Sequence, residues 1–108
     1  MGPFDAFICN SLLHHLTDPS ALWESLKNSV DGAPVFVQDL RRPFNHQMLE
    51  ALVEMHTEDF AHELITDFHN SLRASYTAAE VREQLSSAGL TLTVEEIGDR
   101  HLIVYGRL

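Results

Sequence analysis

Leu90-Thr91-Leu92-Thr93-Val94-Glu95-Glu96-Ile97-Gly98-Asp99-Arg100-His101-Leu102-Ile103-Val104-Tyr105 is the stretch whose reading decides the fold. Leu90, Leu92 and Val94 alternate with Thr91, Thr93 and Glu95, the period of a strand with one solvated face. Leu102-Ile103-Val104-Tyr105 is continuously apolar and reads as a buried strand. Only Gly98-Asp99-Arg100 separates the two. A parallel crossover needs a dozen residues or more, so these strands pair antiparallel or lie apart.

Working back from this hairpin, Thr77-Ala78-Ala79-Glu80 matches a capping box that opens a helix with Val81, Leu85 and Ala88 on its apolar face. Gly89 followed by Leu90 predicts a Schellman stop, with Leu90 touching Leu85. From Asn45 to about Leu72 the positions Met48, Leu49, Leu52, Val53, Phe60, Leu64, Ile65 and Phe68 keep a helical period. That pattern is two helices or one interrupted helix, with Thr57 as the break and new cap.

Pro34-Val35-Phe36-Val37-Gln38-Asp39 is a short apolar strand. Before it, Asp18-Pro19 supplies an N-cap and a proline at the first helical position, and Leu22, Trp23, Leu26 and Val30 form the apolar face. Gly32 fits the exit of that helix. Phe4 to Cys9, interrupted only by Asp5, suits a strand covered on both faces. Strand, helix, strand over the first 39 residues predicts a right-handed parallel crossover. The whole is therefore an α/β chain whose mainly parallel sheet ends in an antiparallel hairpin.

Length and charge narrow the possibilities. The 108 residues, with 44% apolar content, allow one small core. Seven basic against 16 acidic residues give a net charge of -9, and the basic residues form no stripe. Such a surface repels phosphate backbones and anionic headgroups, so neither nucleic acid nor membrane is an expected partner. No window approaches the length of a membrane span, and the expected location is the cytoplasm. The single cysteine, Cys9, lies in an apolar run where a buried, inert thiol is expected.

In open parallel sheets ligands bind beyond the carboxyl ends of the strands. Asn10-Ser11-Leu12-Leu13-His14-His15-Leu16 follows the first strand and Asp39-Leu40-Arg41-Arg42-Pro43 the second. Asn10 and Ser11 offer hydrogen bonds. His14 or His15 can serve as a base near neutral pH, or simply pack locally. Asp39 can hold a substrate, orient Arg41 or Arg42, or cap the next segment. The run Glu50, Glu54, Glu58, Asp59, Glu63 and Asp67 reads as a solvated helix face. His46, His56, His62 and His69 stand ten, six and seven residues apart. Helical metal ligands need separations of three or four, so no metal site is expected.

This order of elements, with Asn10-Ser11-Leu12-Leu13-His14-His15-Leu16, Asp18-Pro19 and Asp39-Leu40-Arg41-Arg42-Pro43, resembles the second half of class I S-adenosylmethionine-dependent methyltransferases. Asp67-Phe68-His69-Asn70-Ser71-Leu72-Arg73-Ala74-Ser75-Tyr76-Thr77 and the ending Asp99-Arg100-His101-Leu102 look like small bacterial members of that group. The resemblance implies a partial Rossmann-like sheet made of the family's last four strands. It also implies S-adenosylmethionine as cofactor, with Asn10, Ser11 and Leu12 lining its methionine end and His15 and His14 near the reacting centre. Asp39 and Arg41 would face the substrate, and Asn70 and Arg73 would help cover the pocket.

The family's Gly-rich turn after a strand, and its acidic residue for a ribose, have no counterpart in the sequence. The cofactor-binding half is thus expected to be absent, and the isolated chain to be incompetent for methyl transfer. Removing that half would bare one edge of the first strand. The expected partner is the missing half on another chain, or a second copy closing the edge; a non-catalytic dimerising module is the alternative reading.

Overall fold

The computed structural model describes residues 6–29 and 31–108. Four strands form one open sheet in the order β1-β2-β4-β3: β1 Phe7–Asn10, β2 Pro34–Leu40, β3 Thr93–Ile97 and β4 His101–Arg107. β1 and β2 run parallel, with Ile8 opposite Phe36 and Asn10 opposite Gln38. β4 lies between β2 and β3 and is antiparallel to both. The three-residue separation at Gly98-Asp99-Arg100 therefore closes the predicted hairpin, and the last strand inserts into the sheet.

Four helices complete the chain: α1 Ser20–Lys27, α2 His46–His56, α3 His62–Ala74 and α4 Ala78–Ala88. α4 begins and ends as its sequence dictates. The Thr77 hydroxyl accepts the Glu80 amide at 3.1 Å, and the Glu80 carboxylate accepts the Thr77 amide at 2.9 Å. That backbone bond, with help from Arg42, holds the Glu80 carboxyl below its ordinary value. At the other end Gly89 sits at φ 75, where a side chain would be strained, and the Leu90 amide reaches the Leu85 carbonyl at 2.9 Å. Thr77→Ala is expected to lower stability by about 1 kcal/mol, read as a shift of the urea midpoint with an unchanged slope.

Other boundaries differ from expectation. The N-cap of α1 is Pro19 and not Asp18, which instead accepts the amide and hydroxyl of Ser20, the first helical residue. Gly32 lies beyond the end of α1, where its amide donates to the Leu108 carbonyl. Phe4, Asp5 and Val30 lie outside the described residues. Thr57 ends α2 by donating its hydroxyl to the Val53 carbonyl, and the residue before α3 is Ala61. Thr57 is thus the break, though not the new cap. Leu90 and Leu92 precede β3 and pack against the core instead of pairing in the strand.

The main core joins Leu22, Trp23 and Leu26 of α1, Val81, Leu85 and Ala88 of α4, and the strand residues Val35, Val37, Val94, Leu102 and Val104. All these helical groups cover one sheet face. On the opposite face Ile8 is 82% exposed and Phe36 41% exposed, and the register continues this row to half-buried Tyr105. The expectation that the first strand is covered on both faces is corrected: its apolar run is two-sided, but α1 and α4 supply only one cover. A second cluster, Leu49, Leu52, Val53 and Leu72 with Leu40, Ile65 and Phe68, seats α2 and α3 at the carboxyl end of β2.

Candidate active site

Parallel pairing of β1 with β2 brings the two strand-end segments side by side. The chain leaves β1 through Ser11, which adopts φ 61 and donates its amide to the Gln38 carbonyl at 2.9 Å. A single turn of 3-10 helix, Leu13–His15, follows. Leu13 anchors the turn in the main core, which drives the next residue, His14, inward over the end of β2.

There His14 meets Asp39. The His14 Nδ1 is 2.6 Å from Asp39 Oδ1, and the His14 amide donates to Asp39 Oδ2 at 3.0 Å. The Leu40 amide donates to Asp39 Oδ1 at 2.7 Å. Asp39 is 1% exposed and the His14 side chain 6%. Both Asp39 oxygens accept backbone donors, so the carboxylate is the acceptor toward the ring as well. His14 therefore donates from Nδ1 to Asp39, and Nε2 is the ring nitrogen that this carboxylate does not engage.

A cleft of about 390 Å³ opens beside this pair, lined by His14, His15, Asp67, Asn70, Ser71 and Ala74. His15 is exposed, and its ring lies 4.0 Å from that of His14, centroid to centroid. α3 supplies the far wall: Asp67, Asn70, Ser71 and Ala74 recur at helical spacing and so share a face. A slightly larger cleft, about 420 Å³, lies between the start of α1 and α4, and none of its lining residues is a histidine or a cysteine.

The candidate residues named from the sequence thus divide. His14, His15 and Asn70 meet around one cleft, with Asp39 immediately behind His14. Asn10 and Ser11 are exposed at the end of β1 and bonded to each other, Ser11 Oγ donating to Asn10 Oδ1 at 3.2 Å. Leu12 is 39% exposed beside them. Arg41 is engaged elsewhere: its guanidinium donates to the carbonyls of Ile97, Gly98 and His101 and pairs with Glu96 at 2.9 Å. Arg73 faces a different hollow, shared with Arg42, Pro43 and Phe44. Asp39 orients His14, not Arg41 or Arg42.

Asp67 is the site residue that sequence reasoning passed over, having placed it on a solvated face. Its signal was its position three residues before Asn70, which puts both on one side of α3. Glu50, from the same acidic run, bridges His46 at 3.5 Å and His69 at 3.0 Å. His56 binds Asp99 at 2.8 Å and, with Arg100, holds that carboxyl below its ordinary value. Burial lowers the proton affinity of His101. Cys9 is half-buried, and burial pushes its thiol up. Among the described residues no group of three His, Cys, Asp or Glu is placed to hold a metal ion. No helix among them is long and apolar enough to cross a membrane.

An open α/β sheet with its last strand inserted antiparallel, and polar groups gathered at the carboxyl ends of its parallel strands, defines the class of architecture. No protein-family model matches the sequence, and no curated protein matches it. Solved structures do. The plantazolicin methyltransferase BpumL, crystallised with a triazolic desmethylPZN analogue and SAH, superposes with a TM-score of 0.73 at 11% identity, over 96% of this chain and 52% of that one. A SAM-dependent methyltransferase from Aquifex aeolicus gives 0.61 at 21% identity, over 98% and 48%. An O-methyltransferase from Nostoc punctiforme, itself assigned without direct proof of activity, gives 0.56 at 17% identity, over 97% and 32%. The chain has the fold of part of a SAM-dependent methyltransferase, spanning about half the length of the first two and about a third of the other.

The described residues fit S-adenosylmethionine only in part. Exposed Asn10 and Ser11 at the end of β1 provide a polar wall. No described glycine stands in a turn leading from a strand into a helix: Gly32 precedes β2, Gly89 follows α4, Gly98 joins β3 to β4 and Gly106 lies within β4. The buried carboxylate at the end of β2 is occupied with His14. These residues leave the adenosine side of such a ligand without partners.

Proposed function

We propose that these 108 residues form the acceptor-side part of an S-adenosylmethionine-dependent methyltransferase and are incompetent without a cofactor-binding α/β half supplied from outside them. The observation that carries this reading is the bare sheet: among the described residues β1 is an edge strand, and the row Ile8, Phe36 and Tyr105 lies on the face that α1 and α4 leave uncovered. An open parallel edge beside exposed apolar groups is where further strands and helices dock. In this reading Asn10, Ser11 and Leu12 meet the methionine end of the cofactor, and His14, His15 and Asn70 meet the acceptor. Bound S-adenosylmethionine supplies the electrophilic methyl group.

The same open edge favours one second reading, a non-catalytic module in which two copies of the chain pair through β1. Calorimetric titration with S-adenosylhomocysteine, run alongside light scattering, separates the two. The expected result is no binding at micromolar concentrations by the chain alone, and micromolar binding once the chain is fused behind the N-terminal half of the Aquifex aeolicus enzyme. Tight binding by the unfused chain would overturn the incompleteness argument. A stable dimer whose fusion also fails to bind would favour the non-catalytic module.

A further inference from the structure

Seven basic residues stand against 16 acidic ones in this chain, yet four of the seven gather in one region. Arg41, Arg42 and Arg82 line a hollow of about 280 Å³. Arg73 lines a second hollow, which shares Arg42, Pro43 and Phe44 with the first. The two acids on the first hollow are already paired: Glu96 with Arg41 at 2.9 Å, and Asp99 with Arg100 and His56, each at 2.8 Å. Arg42 meets Glu80 at 3.1 Å. Arg82 gives one donor, Nη2, to the Val94 carbonyl at 3.0 Å, and among the described residues neither it nor Arg73 forms an ion pair. Arginines without a carboxylate, in a chain of net charge -9, set this region apart as one where an anion is favoured.

The hollow is also apolar and held in shape. Buried Leu52 and exposed Met48 come from α2, and Phe44, 89% exposed, stands just before that helix. The Arg41 guanidinium donates to the carbonyls of Ile97 at 3.1 Å and Gly98 at 3.0 Å, which fixes the loop after β2 against the β3–β4 turn. The Arg42 amide donates to the Tyr76 carbonyl at 3.2 Å and fixes the same loop against the start of α4. Asn45 Oδ1 accepts the Met48 amide at 2.8 Å and sets the entry of the chain into α2. We propose that this hollow binds a small organic anion with an apolar body, its carboxylate meeting Arg42 and Arg82 and its body lying against Phe44, Met48 and Leu52. Burying the apolar body supplies affinity, and the guanidinium groups select the charge. The site is distinct from the His14 cleft, with which it shares no residue. It does not rest on the methyltransferase reading, because no residue of β1 or of the cleft takes part in it.

The test is a nitrogen–proton NMR titration of the 108-residue chain with three probes: 2-naphthoate, the neutral 2-naphthamide of the same shape, and inorganic phosphate. 2-Naphthoate is expected to shift the backbone amides of Met48 and Ala79 saturably, with a midpoint of about 1 mM for a probe of so few atoms, and to leave those of His14 and His15 in place. The naphthamide should bind at least about tenfold more weakly, and phosphate, which has no apolar body, should give no saturable shift. Arg42→Gln and Arg82→Gln, both at exposed positions, are each expected to weaken 2-naphthoate by about fivefold or more and to leave the weak binding of the naphthamide unchanged. Equal binding of acid and amide, saturable binding of phosphate alone, shifts confined to the His14 cleft, or full affinity in both variants would each overturn the proposal. The comparison of acid with amide needs no variant, so it decides the matter even where a substitution unfolds the chain.

Discussion

Replacing Trp23 with alanine is expected to lower the stability of the chain by about 3–5 kcal/mol. The indole is fully buried, sits where α1 meets α4, and donates its N–H to Gln84 Oε1 at 3.1 Å. Truncation removes the largest buried side chain of the core and leaves a void that Leu26, Val81 and Leu85 cannot fill without moving the helix. A domain of this size holds only about 5–15 kcal/mol in total, so the loss removes a large share of it. Urea denaturation followed by circular dichroism checks this, with Trp23→Phe as the milder comparison. A loss below about 1 kcal/mol would mean that α1 does not pack on α4 as described.

The same residue shows how far sequence reading reaches. Leu22, Trp23 and Leu26 announce an amphipathic helix by spacing alone, and Thr77 to Leu90 announces another with both of its ends, because capping bonds are local. Gly98-Asp99-Arg100 likewise excludes a parallel crossover, and of the two arrangements it leaves, antiparallel pairing is the one observed. Spacing does not say which side of a sheet the helices cover. Phe36 and Ile8 look as apolar as Val35 and Phe7, and only the tertiary arrangement leaves one pair exposed.

The candidate site was legible to a similar depth. His14, His15 and Asp39 were picked out because strand ends and polar residues are local features, whereas Asn70, inside α3, was named only through the family resemblance. The bond between His14 and Asp39 spans 25 residues and depends on the register of β1 with β2, which no local pattern encodes. For the same reason Arg41 was paired with the wrong region: its partners are carbonyls 56 to 60 residues away, presented by a hairpin whose position in the sheet the sequence leaves open.

Asp39→Ala is expected to cost about 3–5 kcal/mol, the range found when one member of a buried polar pair is removed. The carboxylate accepts from His14 Nδ1, the His14 amide and the Leu40 amide, and alanine leaves all three without a partner at a site where Asp39 itself is 1% exposed. Each unsatisfied buried donor costs about 1–3 kcal/mol, so the loss exceeds what the small change in apolar area would produce. Asp39→Asn keeps the shape and one acceptor oxygen, and should cost less than half as much. His14→Ala leaves the two backbone amides satisfied, so it should fall between these two. A double-mutant cycle between Asp39 and His14, read from urea midpoints, isolates the ring's share. A coupling of about 1 kcal/mol or more, with the Nδ1–H tautomer seen by NMR, makes the pair a positioned base. A coupling near zero would leave Asp39 as a cap for the turn after β1 and for the end of β2, because its backbone bonds would then account for its burial.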